Sequence, residues 1–153
     1  MIDFDTSVET ELREHGVYAS VTTGTSMQPL FKTHRDMIIV KSITEPLVKY
    51  DVALYRGATG KYILHRVVGV RDDVYLIRGD NTFTLERVPK DRVIGVLTEF
   101  NRKGKRHSVN DMGYCIYSRL WNFIYPIRFL WNFGMNILRA IYRKPFKRNS
   151  KKG

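Results

Sequence analysis

"KYILHRVVGVRDDVYLIRGDN", residues 61 to 81, holds two runs rich in Val, Ile, Leu and Tyr on either side of Arg71-Asp72-Asp73. β-Branched and aromatic side chains favour strands, and a short polar break between two such runs reads as a tight hairpin turn. A turn centred on Asp72 and Asp73 sets His65 opposite Asp80, and a different register moves that partner by a residue or so. His65 shares its strand face with Ile63 and Val67, an apolar setting that disfavours the imidazolium and keeps a base available. A carboxylate beside it would fix the ring tautomer and stabilise the imidazolium once formed.

Working outward, similar runs predict strands near 18–23, 37–42, 51–56 and 93–100, in addition to 61–70 and 74–78. "DFDTSVETELREH", residues 3 to 15, reads as a short helix closed by Gly16, and residues 101 to 108 as a basic hairpin or loop around Gly104. The fold class expected is mainly β: a compact antiparallel β body with a short N-terminal helix and a C-terminal amphipathic helical tail. The expected divisions are 1–16, 17–112 and 113–153. A chain of 153 residues supports one such domain with an appendage. With a single cysteine, Cys115, no intrachain disulfide framework can form. The four histidines lack zinc-site spacing, so neither metal nor cofactor is expected. Five acids and no long apolar run fall in the first fifteen residues, which predicts no amino-terminal signal peptide or anchor.

The net charge of +11 is concentrated at one end. Residues 114 to 153 hold nine Lys and Arg and no acid, leaving a balance of only +2 before them. In the same stretch Ser118, Asn122, Arg128, Asn132, Asn136, Arg139 and Arg143 form a narrow polar stripe beside a wide apolar face, and Pro126 kinks or splits the helix. Trp121, Phe123, Phe129, Trp131 and Phe133 all belong to that face. An interfacial helix on an anionic membrane surface fits this pattern best, giving a cytoplasmic protein peripheral on the membrane. A true span would bury Arg119, Asn122, Arg128 and Asn132 in hydrocarbon, with the basic end cytoplasmic and the β body outside. Docking of the helix on its own β body and oligomerisation through it are the remaining readings. Nucleic acid is the poorer partner for so broad an apolar face.

"TTGTSMQPLFK", residues 22 to 32, sets Ser26 between Gly24 and Pro29. Alone, such a serine is a turn residue, because a hydroxyl needs a positioned base to become a nucleophile. Together, "GTSMQP" (24–29), "RDMIIV" (35–40), "YDVALYR" (50–56), "HRVVGV" (65–70) and "RGDN" (78–81) resemble, block by block, the serine peptidase superfamily that contains the type I signal peptidases and the LexA-like self-cleaving repressors. The resemblance covers about residues 17 to 100. His65 stands where the bacterial-type and LexA-like members carry lysine, so the chain looks like the Ser-His-Asp branch of endoplasmic-reticulum and archaeal type.

The resemblance implies Ser26 as nucleophile, His65 as general base and Asp80 as an essential acid. The Ser26 backbone N–H would serve the oxyanion hole, with Met27 and Pro29 beside the substrate cleft. Three positions depart from the pattern: Thr25 precedes the serine in place of glycine, Thr82 replaces a second asparagine, and Glu86 matches a further family aspartate. The hairpin favours Asp80 as the partner of His65, while the family assignment favours Glu86. Signal peptidases also begin with a membrane span, whereas this chain begins with a polar, acidic segment. The activity expected is a serine endopeptidase acting on leader or precursor peptides, its partner a polypeptide substrate. The alternative is a non-catalytic or self-cleaving LexA-like regulatory, peptide-binding module.

Overall fold

Every β run legible in the sequence becomes a strand. The computed structural model describes residues 4–142, and the basic stretch 143–153 invoked for the tail lies outside them. Helix α1 (Phe4–His15) ends at Gly16, whose N–H donates to the Leu12 carbonyl. Strands β1 (Val17–Val21), β2 (Met37–Ser42), β3 (Val52–Arg56), β4 (Tyr62–Val70) and β5 (Val74–Arg78) follow. After them come β6 (Glu86–Pro89), β7 (Val93–Arg102), β8 (Lys105–Ser108) and the helices α2 (Met112–Phe123) and α3 (Tyr125–Tyr142). All pairings are antiparallel in the order β1-β2-β7-β3-β4-β5-β6, with β8 added to β7. The fold is therefore mainly antiparallel β with one N-terminal and two C-terminal helices, as expected. Strand β6 was not foreseen; four residues ending in Pro89 carry too little alternation to register.

Strand β3 is central, and its alternation divides the interior. Val52 and Leu54 join one apolar cluster with Val8 and Leu12 of α1, Phe31, Leu97 and Tyr114. Ala53 and Tyr55 face the other, with Val67, Tyr75, Ile77 and Val88. Full burial of each large aliphatic side chain contributes about 1.5–3 kcal/mol, so these two layers hold the sheet together. The β7–β8 hairpin turns at Lys103 (φ 52°) and Gly104 (φ 78°), the paired left-handed residues of a two-residue turn that matches strand twist.

The β4–β5 hairpin corrects one expectation. It turns at Asp72 and Asp73, with Arg71 N–H donating to the Val74 carbonyl at 2.9 Å. Near the turn the pairs are Val70↔Tyr75 and Gly69↔Leu76, but beyond it they are Val67↔Ile77 and Arg66↔Arg78. Val68 is an extra residue, a β-bulge on β4. A one-residue slip transfers side chains to the opposite face. Asp80 consequently falls on the Arg66 side, and Gly79 takes the place beside His65.

The described chain divides into two compact units at the Asn122/Phe123 boundary. In the first, α2 turns Tyr114 and Ser118 inward and leaves Met112, Ile116 and Leu120 exposed. Over this stretch Ser118 and Asn122 of the polar stripe face the β body, so α2 is docked on it by that side while Met112, Ile116 and Leu120 stay outside. The helix breaks before Pro126, which occupies the first turn of α3, where a missing N–H costs no hydrogen bond. In α3, Leu130, Trp131 and Phe133 are exposed. No helix among the described residues is long and apolar enough to cross a membrane.

Candidate active site

Ser26 opens a turn that leaves β1 and returns into the core. Gln28 N–H donates to the Thr25 carbonyl at 3.1 Å, Phe31 N–H to Met27 at 3.1 Å, and the Gln28–Pro29 bond is cis. Met27, Leu30 and Phe31 are buried and anchor the turn from below. From the side it is clamped by Asn81, whose N–H donates to the Ser26 carbonyl at 2.7 Å and whose Nδ2 donates to the Thr25 carbonyl at 3.3 Å. Among the described residues the Ser26 N–H donates to no protein group, so it is available to a bound anion. Ser26 Oγ makes no hydrogen bond to His65 in this structure; such bonds are often long before substrate binds.

The two residues meet at Gly79. A Cβ there would come within 2.7 Å of the Ser26 carbonyl oxygen and 3.0 Å of His65 Nε2. Only glycine lets the turn and the imidazole approach so closely. Gly79→Ala is expected to push them apart and to slow, on the order of 100-fold, any reaction that needs Ser26 and His65 together.

On its other edge His65 is held by an acid. Nδ1 lies 3.1 Å from Glu86 Oε1 and 3.2 Å from the Tyr55 hydroxyl, and that hydroxyl donates to Glu86 Oε2 at 2.8 Å. The register explains the triangle. Glu86 pairs with Ile77, and Ile77 with Val67, so all three share the face of His65. Tyr55 reaches the same face from β3, where Ala53 pairs with His65. Burial holds the His65 imidazole below its ordinary pKa, with Glu86 and then Asp80 acting in the opposite sense. That shift favours the neutral ring, the form that can take up a proton.

Asp80, the partner favoured by the simple hairpin, is engaged elsewhere. Arg66 Nε and Nη2 donate to its two oxygens at 2.8 Å each, and Tyr117 donates to Oδ2 at 3.0 Å. Trp121 Nε1 donates to the Asp80 carbonyl at 2.8 Å. Arg66 is completely buried; its Nη1 donates to the carbonyl of Tyr50 and the hydroxyl of Tyr114. Burial opposes its charge, but Asp80 outweighs this and raises the guanidinium above its ordinary range. The pair ties β4 and the Gly79-Asp80-Asn81 turn to α2. Gly79 and Asn81 flank this anchored residue, so Asp80 holds the frame in which Ser26 and His65 meet.

A cleft of about 420 Å³ runs beside Ser26, lined by Ser20, Val21, Phe31, Leu54 and Leu64 among others. Met27 lines it from the buried side, while Pro29 is exposed and outside the lining. Strand β1 is the sheet edge, and β4 pairs with β5 only from Arg66 onward. Two backbone edges therefore flank the cleft. Among the described residues no group of three or more His, Cys, Asp and Glu side chains could hold a metal ion.

Sequence reasoning singled out Ser26, His65, Asp80 and Glu86 but missed Tyr55, Arg66, Gly79, Asn81, Tyr117 and Trp121. One signal was present: strand alternation points Arg66 into the core, where a charge demands a buried partner. Compared with known proteins, the chain matches no family model, and no curated protein is significantly similar to it.

Proposed function

We propose that the protein is a serine endopeptidase of the signal peptidase and LexA-like type. One observation carries this reading: a buried histidine, bonded at Nδ1 to Glu86, has its Nε2 edge against the turn that bears Ser26. In this reading Ser26 Oγ attacks the scissile carbonyl while His65 Nε2 takes its proton. Glu86 stabilises the imidazolium, and the Ser26 N–H donates to the developing oxyanion. His65 then protonates the leaving amine, and water, deprotonated by the same nitrogen, releases the acyl group. The substrate is an extended polypeptide, a leader or precursor segment, that adds a strand along the edges flanking the cleft. Incubating the purified protein with a mixed peptide library should yield new termini that are absent with His65→Ala. Identical products from both would remove the reading.

The second part of the proposal concerns location. Exposed Leu130, Trp131 and Phe133, in a segment that carries basic but no acidic residues, support α3 lying on an anionic lipid surface. Full-length protein should float with anionic vesicles and less with zwitterionic ones. The Leu130→Glu/Trp131→Glu variant should stay at the bottom of the gradient. Equal flotation of the two proteins would sink the lipid assignment.

A further inference from the structure

We infer that Tyr55 is a positioning residue that, together with Glu86, locks the His65 ring in the tautomer carrying its proton on Nδ1, an inference that rests on the peptidase reading for its catalytic meaning. A phenol has one proton to give. Tyr55 gives it to Glu86 Oε2 at 2.8 Å. The Tyr55 hydroxyl oxygen itself lies 3.2 Å from His65 Nδ1, where, its proton given to Glu86, it can only accept. The other neighbour of Nδ1 is Glu86 Oε1 at 3.1 Å, a carboxylate oxygen that also accepts. Two acceptors at one ring nitrogen require that nitrogen to be the donor. The lone pair of the neutral ring is therefore on Nε2, the edge that faces Gly79 and Ser26.

Tyr55 also restrains Glu86. The Glu86 side chain is 34% exposed, and the buried phenol fixes one of its two oxygens. Burial, then the hydrogen bond to Glu86 and its charge, raises the phenol's pKa, so it stays protonated and remains a donor. Among the described residues the other acid acting on the ring is Asp80, which is bound by Arg66 and does not compete for Nδ1. Phenylalanine at position 55 would keep the packing against Val67 and Ile77 while freeing Glu86.

The test is ¹⁵N NMR of the histidine rings in full-length protein, with the His65 signals assigned by their loss in His65→Gln. The wild type should show the Nδ1–H form across neutral pH. Tyr55→Phe should populate the Nε2–H form and lower kcat about 10–100-fold with KM little changed. It should also move the acid limb of kcat/KM to higher pH, because an unshared Glu86 charge favours the imidazolium. A structural role alone would leave that limb in place. If Tyr55→Phe does not fold, Glu86→Gln serves instead: its amide can donate to Nδ1 and should raise the Nε2–H population. Wild-type His65 protonated on Nε2, or a folded variant with tautomer and kcat unchanged, overturns the inference. The NMR readout needs no turnover. The expected tautomer without any hydrolysis would remove the peptidase reading and leave the hydrogen-bond assignment standing; hydrolysis with the opposite tautomer would do the reverse.

Discussion

Ser26→Ala is expected to reduce peptide-bond cleavage about 10⁴–10⁶-fold while leaving folding and peptide binding intact. In the proposed reaction, removing the hydroxyl removes the atom that forms the acyl intermediate. The turn itself rests on other groups: its carbonyl is held by Asn81, and its buried flank is Met27, Leu30 and Phe31. Ser26 is only partly buried, so loss of one oxygen leaves no unpaired polar group inside. Progress curves on a cleaved peptide, with thermal melting alongside, check both halves. An alanine variant that cleaves at the wild-type rate would move the nucleophile elsewhere.

Asp80→Ala is expected to act in the opposite manner, on the fold before the chemistry. It strands Arg66, whose side chain is 0% exposed, without its bidentate partner. Removing one member of a buried pair costs about 3–5 kcal/mol, because the remaining charge is desolvated and uncompensated. For a chain of this size that corresponds to a fall in Tm of ~6–20 °C. The variant also removes the Tyr117–Asp80 hydrogen bond, so α2 should loosen with the turn. Glu86→Gln provides the contrast: its carboxylate is partly exposed, and its loss should lower kcat on the order of 10²–10⁴-fold with little change in Tm. Replacing Arg66 and Asp80 together by apolar residues should recover much of the lost stability. Equal effects of the two acid variants on Tm and on kcat would contradict the division of labour between them.

How much of this was legible varies by residue, and for physical reasons. The β4–β5 turn, the helix α1 and the strand runs were readable because alternation and turn chemistry are local. The partner of His65 was not. One bulge residue, Val68, changes which acid shares its face, and a bulge leaves no mark on a pattern of Val and Gly. The resemblance had the better assignment there, since it pointed to Glu86 as well as Asp80. In α2 the stripe containing Ser118 and Asn122 reads in sequence as the polar side of a helix that lies on a membrane surface, with docking on the β body as another reading. It faces inward on the side of α2 whose Tyr114, Tyr117 and Trp121 bond the Arg66–Asp80 pair, and Asn122 Oδ1 there accepts from Arg78 at 3.1 Å. Polar residues opposite a buried ion pair look the same in sequence as polar residues opposite water.

The central claim is that Ser26 is the nucleophile of a peptidase. The most direct measurement compares the amino-terminal peptide profiles of cells carrying the wild-type chain with those of cells carrying Ser26→Ala at equal protein level. The account predicts a set of internal termini present with the wild type and missing with Ser26→Ala, preceded by residues that fit the cleft beside Ser26. Indistinguishable profiles, with both proteins folded and abundant, would contradict it.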